Sequence, residues 1–270
     1  MRANGLSFDV EDWFCANNLG IPYERWDEKE LRVEANTLRL LDILDAHAAK
    51  GTFFVLGWIA ERVPDLVREI ERRGHEVATH GYGHVLLTRM TPEDFDRDLQ
   101  HALEVTQPLL RQPILGFRAP SFTVTGATLW AYDILHRHGL RYDSSVFPVG
   151  FHPDYGIADA PLEIHRRNEM MEVPLSCVEF GSKRIPSSGG GYFRILPYRA
   201  SRWLMRACNA QGRPVIFYLH PWELDPGQPR SPMSASKRLR HYINLSRTEQ
   251  RLHRLLSDFP FVPIKELLDS

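Results

Sequence analysis

Seven short runs rich in β-branched and aromatic residues recur along this chain: "GLSF", "GTFFVLG", "HEVATH", "ILGFRAP", "LRYDSS", "MEVPLS" and "PVIFYLH". Each is bounded by Gly, Pro or polar residues, and each has the length and composition of a strand. Between them lie amphipathic stretches of helical period, at 34–50, 58–73, 92–111, 125–138 and 197–211. This alternation leaves few folds open. Strands separated by crossover helices run parallel, in an open doubly wound sheet or a closed barrel. About seven strands favour barrel-like closure, and 270 residues suit one large α/β domain.

Local signals support the segmentation. Thr91-Pro92-Glu93-Asp94 reads as a helix start, with Thr91 as cap, Pro92 in the first position and acids in the first turn. Gly51, Gly74 and Gly139 follow helical stretches, where glycine suits a left-handed cap. Two regions depart from the alternation. Residues 151–194, rich in Pro and Gly and ending in "PSSGGGYF", read as long active-site loops, with "SSGGG" a flexible turn. It is no phosphate cradle, because no G-K-[ST] follows it. The polar, Arg-rich stretch 234–258 reads as a solvated helix on the outside. The expected organisation is a barrel over 1–225 and a helical extension over 226–270, packed on the same domain.

Bulk properties exclude several function classes. With 33 Lys+Arg against 34 Asp+Glu, no global field favours nucleic acid or anionic lipid. Cys15, Cys177 and Cys208 form no C-x-x-C pattern, which argues against a disulfide framework or structural zinc knot and for a reducing compartment. No secretory leader pattern and no apolar run of about 20 residues is found, so a cytoplasmic chain without a membrane span is expected. The oligomeric state is not readable.

In a βα barrel, chemistry collects at the C-terminal ends of the strands. Those ends carry Asp9, Glu11 and Asp12, then His80 and His84, then Arg118, Asp143 and His220. His80 and His84 are four apart, which sets both on one face if the segment makes a helical turn. Two His and a carboxylate are the ligand set of many catalytic zinc and non-haem iron sites. Taken singly, such a pair is usually a surface pair, an acidic triplet a solvated loop, and a strand-end His a core residue bonded to backbone. Taken together, the acids repel one another and call for a compensating cation. Arg118, beside a carboxylate, would hold it ionised through a bidentate pair.

Asp9 and Asp12, "HGYGH", "RAPSF", "YDSSVF" and "YLHP", in that order, resemble the five motifs of the polysaccharide deacetylase family, also known as the NodB homology domain or carbohydrate esterase family 4. The resemblance covers roughly residues 5–225. "SFDVEDWF", "PSSGGGYFRILPY" and "LHPWELDP" look like the subfamily found with exosortase-linked exopolysaccharide clusters. The resemblance implies a distorted (β/α)7 TIM-like barrel and a metal-dependent hydrolase that removes N-acetyl groups from an amino-sugar polysaccharide or its precursor. It implies one divalent ion, Zn2+ in first place, and an N-acetylated glycan as partner. Position by position, it makes Asp9 the general base, Asp12, His80 and His84 the metal ligands, Arg118 the tether of the base, Asp143 the acid of the fourth motif and His220 the general acid.

This sequence also departs from the family pattern. Val10 and Glu11 intervene where two aspartates are usually adjacent, so Glu11 could replace Asp12 at the metal. Ser121 stands where Tyr is usual, keeping a backbone N–H for the oxyanion. The fourth-motif Trp is absent, and Phe147 is the nearest aromatic. Hydrolysis of another linear amide or a cyclic imide, or glycan binding without catalysis, are the alternatives; a glycosidase would leave the His pair without purpose.

Overall fold

All seven runs form strands in the computed structural model, which describes residues 3–150, 155–181 and 183–268; residues 151–154 and 182, inside the expected loop region 151–194, lie outside the described residues. The strands are β1 (Asn4–Val10), β2 (Thr52–Val55), β3 (Glu76–Thr79), β4 (Gly116–Phe117), β5 (Tyr142–Asp143), β6 (His165–Arg167), β7 (Met170–Glu172), β8 (Cys177–Phe180), β9 (Lys183–Pro186), β10 (Ile216–Leu219) and β11 (Phe261–Val262). The main sheet runs β10-β1-β2-β3-β4-β5-β7-β6, with β11 added beside β1. Every pair in it is parallel except β6–β7. β10 and β6 stay as separate edges among the described residues, so the α/β barrel is a curled, distorted one with an open seam.

Parallel pairing fixes where chemistry can occur, because it points the C-terminal ends of β1, β3, β4, β5 and β10 the same way. β1 is buried along its whole length, as expected of a central parallel strand covered on both faces. Leu6, Phe8 and Val10 join Phe53, Val55 and the helix residues Leu40, Leu41 and Leu44 in the largest core cluster. Burying each such side chain fully contributes about 1.5–3 kcal/mol.

The helices are α1 (Val33–Ala46), α2 (Gly57–Arg62), α3 (Pro64–Arg72), α4 (Pro92–Thr106), α5 (Ala131–Arg137), α6 (Gly190–Ile195), α7 (Tyr198–Ala210), α8 (Ala235–Tyr242) and α9 (Leu245–Asp258). The stretch 58–73 is two helices, because Pro64 has no N–H to continue the first and instead opens the second. α4 begins with the expected Thr91 cap, completed by Asp94 as a reciprocal box. Gly74 and Gly139 have φ of 80° and 79°, as left-handed caps do. Gly51 does not: Ala48 makes the left-handed turn, and a Cβ on Gly51 would press on the Leu6 carbonyl at 3.0 Å.

The region 151–194 is more structured than a set of loops, since β6, the β8–β9 hairpin and α6 are built from it. "SSGGG" is no flexible turn. Ser188 Oγ donates to the Ile216 carbonyl at 2.6 Å, and a Cβ on Gly190 would collide with the Glu223 carboxylate. The C-terminal stretch supplies two helices and also strand β11. Among the described residues no helix is long and apolar enough to cross a membrane.

Candidate active site

A cleft of about 460 Å³ opens at the C-terminal end of the sheet, lined among others by Asp9, Glu11, His80, His84, Ser121 and His220. Asp9 is the penultimate residue of β1, where Arg118 Nη1 reaches its Oδ1 at 2.8 Å. The pair is not bidentate. Arg118 divides its fork among Asp9, Ser7 Oγ (2.8 Å), the Ser144 carbonyl (3.0 Å) and Ser144 Oγ (2.9 Å), so the buried guanidinium fixes several strands at once.

His80 and His84 meet through a loop rather than a helical turn. Gly81 (φ 75°) and His84 (φ 55°) are both left-handed, and the ring centroids are 5.3 Å apart. Asp98 holds this loop in place by accepting from the amides of Tyr82 (2.9 Å) and Gly83 (3.3 Å). His80 Nδ1 donates to the Arg118 carbonyl at 2.7 Å, and burial pushes its pKa down to about 4. The ring is therefore neutral, with its lone pair on Nε2.

Of the two acids beyond Asp9, Glu11 and not Asp12 reaches the histidines. Glu11 Oε2 lies 3.0 Å from His84 Nε2, and Oε1 lies 3.1 Å from His220 Nε2. Burial would raise its pKa, but the His84 and His220 imidazoles outweigh burial and hold it at about 2. Asp12 is occupied elsewhere. Its Oδ1 accepts from Trp13 N (2.7 Å) and its Oδ2 from Arg32 N (2.7 Å) and Val33 N (2.8 Å), which closes a short turn and the start of α1. Three amide donors thus engage both oxygens of Asp12, and of the two expected candidates for the metal only Glu11 faces the histidines.

His220 ends β10, with Nδ1 2.8 Å from Glu223 Oε1 and Nε2 3.8 Å from Asp9 Oδ2. Burial would lower its pKa, yet Glu11, Glu223 and Asp9 raise it to about 9. Trp222 stacks on the ring at 5.1 Å. Glu223 is in turn held by Arg194 Nε at 2.5 Å. Neither Glu223 nor Arg194 was singled out from the sequence. "HPWE" offered the one available signal, a carboxylate three residues after the histidine, in register to cap the following turn.

Asp143 and Phe147 do not line the cleft. Asp143 is fully buried beneath it, where Ser145 Oγ donates to Oδ1 at 2.5 Å, and burial pushes its pKa up to about 6 beside Glu172. The residue expected to be the acid of the fourth motif is therefore set behind the cleft wall and not on its surface. Phe147 stacks behind Tyr155 at 5.5 Å and packs on Phe122. Among the described residues, Phe122, Tyr155, Tyr192, Tyr218 and Trp222 are the Phe, Tyr and Trp side chains that line the cleft. Ser121 does face it, in a left-handed conformation (φ 52°) shared by Phe122 (φ 58°), and Asn17 Nδ2 donates to its hydroxyl at 2.8 Å. Two consecutive non-glycine residues in this region cost roughly 1–3 kcal/mol each, the kind of strain that collects at functional sites.

Among the described residues no three His, Cys, Asp or Glu side chains are already drawn into metal-site geometry. The donors nevertheless fit one. Glu11 Oε2 is buried without a hydrogen-bond partner despite its closeness to His84, and His80 presents a free lone pair. Two imidazoles and a carboxylate are a zinc-type set.

Known proteins resemble this chain in sequence and in fold. The polysaccharide deacetylase family matches residues 24–142, and a domain of unknown function, DUF3473, matches residues 144–269. A peptidoglycan-N-acetylglucosamine deacetylase of Bacillus cereus is 29% identical over 34% of this chain and 42% of its own length, so the chain spans less than half of that relative. The crystal structure of a polysaccharide deacetylase from Mycobacterium smegmatis superimposes with a TM-score of 0.64 at 20% identity, over 99% of this chain and 88% of that one. A CE4 family pseudoenzyme from Bacillus anthracis superimposes at 0.52 and 15% identity, over 98% and 65%. These likenesses make residues 24–142 similar to the polysaccharide deacetylase family and give the chain as a whole the fold of its solved neighbours.

Proposed function

We propose that this chain is a metal-dependent N-deacetylase acting on an N-acetylated amino-sugar glycan, an exopolysaccharide or its precursor. One observation carries the reading: Asp9, tethered by Arg118, and His220, held by Glu223, stand 3.8 Å apart directly beside Glu11, His80 and His84. His80, His84 and Glu11 would hold the divalent ion, zinc in first place. When bound, that ion polarises an amide carbonyl and lowers the pKa of water from 15.7 toward about 7.

Asp9 takes the proton of the attacking water on its free Oδ2, while Arg118 keeps its carboxylate fixed. The Ser121 N–H faces the developing oxyanion, a type of contact worth about 3–4 kcal/mol per donor. His220, raised to about 9, is protonated at neutral pH and gives its Nε2 proton to the departing amine. Glu223 and Trp222 hold that ring in position.

The test is acetate release from N-acetylated chitooligosaccharides and peptidoglycan fragments, followed by mass spectrometry for the loss of acetyl. Metal-stripped protein should be inactive and recover with added Zn2+. Glycan binding without acetate release under any divalent ion would refute the reading.

A further inference from the structure

The floor and rim of the cleft carry opposite charge. Asp9, Glu11 and Glu223 on the floor are buried, and each already faces an arginine or imidazole. The rim is cationic. Arg89, just beyond the His80–His84 loop, and Lys237 and Arg240 on α8 line the same cleft, exposed and without a carboxylate partner among the described residues.

This is not a diffuse surplus, because the formal net charge is -1. Arg89 differs from every other lysine and arginine described in residues 3–110, each of which sits in an ion pair. Lys237 and Arg240 share their stretch of chain with further arginines that have no ion pair among the described residues, such as Arg230, Arg238 and Arg247, and differ from these in lining the cleft. Lys237 and Arg240 are three apart on one helix, a spacing at which like charges repel unless an anion lies between them. Nor is α8 loosely placed. Arg194 Nη1 donates to the carbonyls of His241 (2.6 Å) and Ile243 (3.1 Å), and His241 stacks on Trp222 at 4.6 Å. The residues that fix His220 thus also fix the cationic helix.

We infer that the cleft selects an anionic glycan, with the N-acetyl group at the floor and carboxylate or phosphate groups on neighbouring residues met by Arg89, Lys237 and Arg240. This deepens the deacetylase reading and rests on it. Exposed cations act at short range in salt, so the preference is a matter of KM and falls as the Debye length shrinks from about 10 Å at 0.1 M to 3 Å at 1 M.

Three probes test it on the zinc-loaded chain: neutral chitotetraose, a hyaluronan tetrasaccharide whose N-acetylglucosamines alternate with uronate, and UDP-N-acetylglucosamine. At low salt the kcat/KM ratio of a charged to the neutral probe should reach about tenfold and collapse toward one at 1 M salt. Which charged probe responds identifies carboxylate or phosphate as the anion. The double variant Lys237→Glu/Arg240→Glu should cut the ratio about tenfold through KM, while Arg247→Glu, on α9 outside the cleft, should leave it alone. A ratio near one that ignores both salt and the double variant overturns the inference with the deacetylase reading intact. If no probe releases acetate, that reading fails instead, and calorimetric binding of the same three probes still decides the charge preference.

Discussion

The two halves of the molecule contribute to one site by different means. Up to β5, the site residues sit at or just past strand ends in compact motifs, and their positions follow from the parallel sheet: Asp9 near the end of β1, His80 after β3, Arg118 after β4. After β5, one strand end supplies His220, and its setting comes from contacts between distant segments. Glu223 meets Arg194 from α6, and Trp222 stacks on His241 from α8. The first half is thus a scaffold with chemistry at its rim, whereas the second assembles its half of the site from side-chain contacts. Substitutions should therefore fail differently in the two halves.

The largest effects fall where a reacting proton is handled. Asp9→Asn and His220→Ala should each lower kcat by about 10²–10⁴ with the metal retained, whereas Glu11→Gln should lose metal and activity together. Elemental analysis beside rate separates the two outcomes; full metal occupancy in Glu11→Gln would exclude Glu11 as a ligand. Arg118→Ala comes next, since it leaves Asp9 buried without its cation. A destabilisation of about 3–5 kcal/mol in urea unfolding is expected. No loss there would show that the scaffold half does not depend on this pair.

Glu223→Gln breaks the second half selectively. It should cost about 10–100-fold in kcat and shift the alkaline limb of the pH–rate profile downward, because a carboxylate that raises His220 is gone. An unchanged limb would mean that Glu223 only packs. Asp12→Asn should retain metal and lose about 0.5–2 kcal/mol of stability, as removal of a turn and helix cap does. Loss of metal in that variant would reopen the choice between Asp12 and Glu11.

The smallest effect is on stability against pH in metal-free protein. The His220 pKa is raised from 6.5 to about 9. Its contribution is therefore fully present below about pH 6.5 and lost as pH rises through 9. The urea midpoint should fall between pH 6 and 9.5 by more in the parent chain than in His220→Gln, and equal falls would refute the assignment.

Much of this was legible in the sequence, for identifiable reasons. Strand periodicity and helix signals are local, so all seven strands and the Thr91 cap could be read directly. Asp9, His80, His84, Arg118 and His220 could be named because a parallel sheet maps chain order onto position. Asp12 and Glu11 could not be separated. Their order in "DVED" does not reveal that the α1 amides, twenty residues on, would take Asp12. The setting of Asp143 was hidden for a similar reason: being at a strand end does not say whether a side chain faces the cleft or the interior, where Ser145 and Glu172 receive it.

By itself, then, the sequence determined the α/β alternation, the end of the sheet where chemistry collects and the residue types gathered there, since these follow from period and order along the chain. Tertiary structure alone decided which acid meets the histidines, that Glu223 and Arg194 hold His220, and that Arg89 and α8 give the cleft a cationic rim. These depend on contacts between segments as far apart as 211 residues, as in Trp222 Nε1 to Glu11 Oε1, and no local pattern encodes a partner at that separation.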